Sequence, residues 1–300
     1  SLLTWPDGAD RTNLDLLLDR AIENIRVKLN ESLLTLDDID GIGISVSMIV
    51  KDSEIVKIKT GLSADFCSEE MEKLNKIAAR LSQEFPNKEI FIENDGNLEA
   101  LGISRAQGYR NTLVLKFGNT LSAGFIDANG QIGKGINEFT KVVIDLGDDA
   151  VYHGLTGVKG WAGAYISWWG IENIARKLNL YEKYNFGPDV LVPRILCNWL
   201  TDGNEEEKRD ASEVFSGVGN YVAALVIALE PFYRIDNIVL SGGIILGASG
   251  QIIADSANEV LRRSNKTGRV RVAGEDAASL KYGCLLGLTY LARETITEEA

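Results

Sequence analysis

Apolar residues recur at helical spacing through Leu14, Leu17, Leu18, Ala21, Ile22 and Ile25. With Thr12 or Asn13 as cap, this spacing predicts an amphipathic helix to about Leu29. Gly41 to Ser47 reads as a buried strand, and Glu54 to Lys59 alternates as a half-exposed one. A second amphipathic stretch, about Ser68 to Phe85, leads into the β-branched and aromatic run Ile90-Phe91-Ile92. Leu98 to Gln107 is again helical, and Gly108 to Asn111 is a turn. Helix, strand, helix, strand is an α/β plan with a parallel component.

Beyond Gly108 the pattern changes. Thr112–Gly118 and Ser122–Asp127 predict a strand pair joined through Gly118-Asn119-Thr120-Leu121, and Gln131–Gly135 extends it as a third strand of a small meander. A segment rich in glycine and tryptophan follows at Val151–Trp169, then helices to Leu200 and an acidic loop at Asp202–Asp210. The helix from about Ala211 to Glu230 is apolar over so much of its surface that it must be largely buried. Ile235–Ser241 reads as a strand with the apolar run Ile238-Val239-Leu240 that leads into Gly242-Gly243. These shifts divide the chain into residues 1–107 and 108–282, with a last helix, 283–300, expected to pack back on the first part.

Composition narrows the classes. The chain has 300 residues, 45% hydrophobic and 25% charged, which suits an ordinary globular protein of two domains. A net charge of −12 without a basic patch argues against nucleic acid and anionic membranes as partners. The three cysteines, Cys67, Cys197 and Cys284, are widely spaced and suggest neither a disulfide framework nor a thiolate zinc site. A reducing cytoplasm fits, and no segment has the length and apolarity expected of a membrane span or signal.

Candidate chemistry gathers where strands end. Ile90-Phe91-Ile92 delivers Glu93-Asn94-Asp95 into Gly96 at the start of a helix. A single aspartate at the carboxyl end of a strand can take a proton from a substrate hydroxyl. The same Asn94 and Asp95 also suit plain helix capping. Glycines after a parallel strand, as at Gly242-Gly243, allow backbone to approach a ligand or simply make a tight turn.

These segments, in order, resemble the ROK family of bacterial sugar kinases and repressors, within the actin-like and hexokinase-like ATPase superfamily. Glu93-Asn94-Asp95-Gly96-Asn97 is similar to the family's Glu-Asn-Asp-Ala-Asn segment, Leu113–Gly124 to its second phosphate hairpin, and Phe215–Gly243 to the helix and strand of its adenosine site. Ala273–Cys284 resembles its closing turn and last helix. The resemblance implies an α/β, actin-like (ribonuclease H-like) two-lobe fold, with Asp95 as catalytic base and Asn94 and Glu93 at the sugar. It also implies nucleotide contacts at Gly118, Asn119, Thr120, Gly242 and Gly243, with ATP and Mg2+ required for activity.

The departures set the functional expectation. No segment matches the family's opening strand pair with Asp-x-Gly-Gly-Thr, so the amino-terminal lobe is expected to be incomplete. A homo-oligomer, or an upstream or partner segment, is expected to complete it. Asn119 and Leu121 replace glycines and are expected to crowd a phosphate cradle. The Gly-Glu-x-Gly-His segment is expected at Lys141–Asp145, which leaves no glutamate there, and Gly163 replaces a second sugar-binding glutamate. Gly154, Thr156, Trp161 and Asp145 stand where zinc ligands are expected, so no zinc is expected and Trp161 should hold the segment by packing; His153 reads as a loop or core histidine. Trp161, Trp168 and Trp169 suit core packing or a sugar face. The expectation is a sugar-kinase-related cytoplasmic protein, catalytically weakened or inactive as this chain, with a sugar ligand. The alternative is an active ATP-dependent hexose or hexosamine kinase.

Overall fold

In the computed structural model, which describes residues 14–51, 54–56, 76–135, 137–152, 157–266, 269–273 and 277–298, the chain divides into two units. The first comprises Ser1–Asn94 with Leu291–Ala300, the second Asp95–Tyr290. The division therefore falls at Asn94 and Asp95, ahead of the turn at Gly108 where the pattern change suggested it. The reason is packing: the helix that begins at Asp95 lies directly on a strand of the second unit, as described below.

In the first unit the expected helix α1 is Leu14–Glu31, and its periodic face buries Leu18 and Ile22. Strands β1 (Gly41–Val46) and β4 (Glu89–Asn94) pair in parallel, in register from Gly41 with Glu89 to Val46 with Asn94. A short antiparallel ladder joins β2 (Val50–Lys51) and β3 (Glu54–Ile55). Helix α2 (Ile77–Glu84) adds Ile77 and Leu81, which form one core with Leu18, Ile22, Ile42, Val50, Ile55, Phe85 and Ile92. Exposed pairs of Arg80 with Asp15 (3.1 Å) and Arg26 with Glu84 (2.8 Å) link α1 to α2, each contributing little to stability. The remainder of the expected strand to Lys59, the start of the expected helix from Ser68, and Cys67 lie outside the described residues.

The second unit is built on a four-stranded sheet in the order β6-β5-β7-β8, from β5 (Thr112–Phe117), β6 (Leu121–Ile126), β7 (Asn237–Ser241) and β8 (Arg269–Val272). The β5–β6 hairpin is antiparallel, whereas β5, β7 and β8 run parallel. Leu113, Leu115, Phe117, Leu121, Ala123, Ile238 and Leu240 alternate onto one face and enter the large core. Helices α7 (Glu205–Leu229) and α8 (Ala248–Arg263) bury Val214, Phe215, Val218, Val222, Ile253 and Ala257 in that core. By length and composition α7 would pass for a membrane span, but these residues are fully buried within the unit. Helices α4 (Trp168–Lys177), α5 (Leu180–Lys183) and α6 (Val192–Asp202) precede it.

Two local expectations are corrected. The third meander strand reduces to a single bridge between Ile126 and Ile132. The acidic stretch after Asp202 is largely helical: Asn204 caps α7 by accepting from the amides of Glu206 and Glu207, and Glu207 bonds back to the Asn204 amide at 2.8 Å. Glu205, Glu206 and Glu207 fall in the first turn, where the helix dipole favours negative charge.

The opposite face of the sheet carries α3 (Asp95–Gln107), with α9 (Ala277–Glu298) beside it. Their approach is backbone to backbone. A methyl group at Gly96 would meet the Ala123 carbonyl oxygen at 2.3 Å, and one at Gly124 would meet that of Gly96 at 2.3 Å. Likewise a methyl group at Gly102 would meet the Gly283 carbonyl oxygen at 2.1 Å, and one at Gly287 that of Leu98 at 2.0 Å. Replacing either Gly102 or Gly287 with alanine is therefore expected to lower stability by about 1–3 kcal/mol through overpacking against rigid backbone. Chemical denaturation measures this; an unchanged midpoint for both variants would mean that the helices are not seated this closely.

Candidate functional site

Asp95 opens α3 at the carboxyl ends of the sheet strands, where open α/β sheets place their ligands. Ser122 on β6 donates to its Oδ1 at 3.0 Å, and the Lys116 ammonium on β5 stands 3.8 Å from Oδ2. One helical turn on, Glu99 points the same way and is almost completely buried, with 4% of its side chain exposed. Its Oε2 lies 3.5 Å from Lys116 Nζ and 3.1 Å from Cys284 Sγ, supplied by α9. The Cys284 thiol also reaches the Asp95 carbonyl at 3.2 Å and accepts from Lys116 at 3.3 Å.

Electrostatics follow from this crowding. Burial works to lower the Lys116 pKa, but Glu99, Cys284 and Asp95 outweigh it and the ammonium is held above its ordinary value. Burial, together with the Glu99 charge, pushes the Cys284 thiol up to about 12, so it remains a neutral donor.

The two glycine segments come together beside this cluster. Gly118, Asn119 and Thr120 form the exposed tip of the β5–β6 hairpin, closed by a bond from the Gly118 amide to the Thr120 carbonyl at 3.2 Å. Gly242 follows β7 with φ +111, and a side chain there would meet the Phe117 carbonyl oxygen at 2.3 Å. Leu121 does not crowd the tip: it pairs with Phe117 and is buried in the core on the other face of the sheet. Only Asn119 and Thr120 remain as side chains at that turn. A nucleotide phosphate fits exposed backbone of this kind. Among the described residues, no group of three or more His, Cys, Asp or Glu side chains is arranged to hold a metal, which does not fit a magnesium ion bound by protein alone.

Asn94 and Glu93 end β4 in the first unit. The Asn94 side chain donates to the Met48 carbonyl at 2.9 Å, and its amide donates to Glu93 Oε1 at 2.6 Å. In the second unit Asn97 accepts from Asn137 at 3.0 Å, a buried bond that ties the loop before Glu138 to the first turn of α3. Glu138 itself is half-buried and pairs with Lys141 at 2.9 Å across a 3-10 turn.

The stretch aligned with the zinc segment is held by a carboxylate. Asp145 accepts from the hydroxyls of Tyr165 (2.7 Å) and Tyr221 (3.1 Å) and from the Gly147 amide (2.9 Å), and Lys177 stands 3.6 Å away. Tyr165 is fully buried and stacks on Tyr221 at 3.9 Å between ring centres. Backbone bonds from Ile144 to Gly160 and from Ala162 to Val142 close the stretch around this network. Trp161 contributes a bridge to Val143, with Asp145 at the centre of the polar contacts. His153, Gly154 and Thr156 lie outside the described residues. Trp168 donates its amide to the Gly118 carbonyl at 3.0 Å, so it braces the hairpin, while the side chain of Trp169 is exposed.

Sequence reading singled out Asp95 and both glycine segments but did not mark Lys116, Glu99, Ser122 and Cys284, which the structure gathers around Asp95. Register was the available signal: Lys116 pairs with Ser122 on β6 and with Ser241 on β7, which puts three polar side chains in one row across the carboxyl end of β5.

No protein-family model matches the sequence, and no curated protein matches it. Solved structures do. The ROK hexokinase from Thermus thermophilus aligns over 96% of this chain and 89% of its own, with TM-score 0.66 and 18% identity. A ROK-family transcriptional regulator, a homologue of the E. coli MLC protein, aligns over 93% and 69% with TM-score 0.69 and 14% identity. A ROK-family glucokinase from Streptomyces griseus, solved with glucose and AMPPNP, aligns over 92% and 88% with TM-score 0.63 and 18% identity. The chain therefore has the actin-like α/β fold of the ROK proteins.

Asp145 yields a stability prediction. Burial works against its charge, but the Tyr165, Gly147 and Tyr221 hydrogen bonds and the Lys177 charge outweigh it, holding the carboxyl below the usual carboxylate range. Such a group stabilises the fold above the pKa of the unfolded chain, and the contribution disappears as pH falls through the lower folded value. Asp145→Asn should cost about 1.5–3 kcal/mol at neutral pH and flatten the loss of stability on acidification. Chelator should leave the wild-type melting temperature unchanged. One zinc per chain by elemental analysis after such treatment, or an unaltered Asp145→Asn variant, would overturn this account.

Proposed function

We propose that this chain is a ROK-family relative that binds a hexose or hexosamine at Asp95 and transfers phosphate to it weakly. The observation that carries the reading is the Asp95 carboxylate, 23% exposed and oriented by Ser122, beside the Gly118 and Gly242 turns. In the reaction Asp95 takes the proton of a sugar hydroxyl, the oxygen attacks the terminal phosphorus of ATP, and ADP leaves with the bridging oxygen. Asn94 and Glu93 serve the sugar, while Gly118, Asn119, Thr120, Gly242 and Gly243 serve the nucleotide. Asn119 in the hairpin and Gly163 at a sugar position account for the weakness.

The alternative is an active ATP-dependent sugar kinase, which two features would serve. Leu121 turns into the core, and Glu138 lies beside the loop bonded to Asn97. Setting the Gly-Glu-x-Gly-His motif at Asn137–Lys141 gives Glu138 the sugar-binding role and puts Lys141 in place of the histidine.

Calorimetry should find ATP with magnesium binding more weakly than low-micromolar. Asp95→Asn should retain hexose binding and lose whatever phosphotransfer exists by about a hundredfold or more. Low-micromolar ATP binding with brisk turnover establishes the alternative; transfer that survives Asp95→Asn removes both.

Association follows from the same reading. Among the described residues β1 pairs only with β4, and Ile44 and Val46 are half-buried. A second copy, or an upstream or partner segment, is expected to cover that strand. Sedimentation should show an assembly that Ile44→Lys weakens; a monodisperse monomer with no dye-binding apolar surface would refute it.

A further inference from the structure

Lys116 is the only charged residue of β5 and lies at the carboxyl end of that strand. Its register partners there are Ser122 and Ser241, so the three form a polar row across β6, β5 and β7. The next residues along β5 and β7 are Phe117-Gly118 and Gly242-Gly243. Ser241 Oγ is fully buried and has no hydrogen-bond partner among the described residues.

The ammonium is braced from behind. Glu99 has 4% of its side chain exposed and needs a counter-charge, which Lys116 supplies at 3.5 Å; Lys116 itself is 30% exposed. The accessible end of the pair is thus the positive one. Its separation from Asp95, 3.8 Å, exceeds hydrogen-bond length, so the cation faces the carboxylate without being fastened to it. A strand lysine held by a helix glutamate is also the arrangement by which protein kinases position the lysine that meets nucleotide phosphates.

We propose that Lys116 is the phosphate-binding cation of this site, held by Glu99 and Cys284 to meet the terminal phosphate of a nucleoside triphosphate beside Asp95. The proposal rests on the reading that a phosphoryl group is brought to Asp95. Without this charge, Asp95 would repel the arriving phosphate; with it, the carboxylate and the phosphate share a cation. The neutral Cys284 thiol donates to Glu99 without taking up the lysine charge.

Binding, not turnover, tests the proposal. AMPPNP, tripolyphosphate and adenosine are titrated into the wild-type chain, Lys116→Met, Lys116→Arg and the double variant Lys116→Met/Glu99→Gln. The double variant removes both charges, so that no unpaired buried carboxylate unfolds the protein. Both methionine variants should bind AMPPNP and tripolyphosphate about tenfold or more weakly with adenosine unaffected, and arginine should restore part of the loss. A folded double variant that binds AMPPNP as the wild type does overturns the proposal, as does a wild-type chain that binds neither phosphate probe. Glucose, mannose and N-acetylglucosamine titrated in parallel separate the two readings. Sugar binding that persists while the phosphate probes show no dependence on Lys116 removes this role and leaves the sugar site standing.

Discussion

The arrangement around Asp95 depends on how closely one helix can lie against a sheet and a second helix. Ala123 and Gly124 on β6 admit the first turn of α3 only because Gly96 has no side chain, and Gly102, Gly283 and Gly287 do the same between α3 and α9. Side chains that flank these contacts are forced into one volume. Asp95 and Glu99 come from consecutive turns of α3, Ser122 from β6 and Cys284 from α9. None could reach the others if the elements stood a methyl group further apart. The glycines carry no chemistry themselves, yet they set the distances on which the chemistry rests.

Within that volume the critical element is the buried Glu99. A carboxylate so deeply enclosed is costly unless paired, and Lys116 is the cation placed to pair with it. Exchanging the pair for apolar groups of like volume would be tolerable for stability. Retaining it keeps a cation at the carboxyl end of the sheet, on the face that Asp95 also uses. The pair is thus better explained by what its exposed end can meet than by any gain in folding energy.

Much of this was legible in the pattern of residues. Strand and helix periodicity located α1, β1, β4, β5, β6 and β7, and the order of motifs around Asp95, Gly118 and Gly242 led to the fold that the solved structures share. The start of α7 was hidden because a run of glutamates resembles a solvated loop until Asn204 is recognised as its cap. The missing third meander strand reflects a segment whose alternation is too weak to sustain a ladder beyond one bridge. Lys116 and Glu99 escaped notice because neither is a marked position of the motifs they lie in or beside, and only sheet register and the packing of α3 unite them. Leu121 was misjudged for a related reason, since strand parity, not its place in the hairpin, decides which face it occupies.

The resemblance treats each departure as a loss, but at two positions the chain supplies a different solution. Where zinc ligands were expected, Asp145 gathers two phenols, an amide and an ammonium, a network that fixes the same kind of loop through hydrogen bonds. Next to Asp95, Lys116 brings a fixed positive charge of its own to a place whose described residues form no metal cage. In both places a side-chain charge is held by fixed partners. A side-chain cation cannot dissociate, but it can be set only where backbone geometry allows, and here the glycine contacts that hold α3 and α9 in place set that geometry.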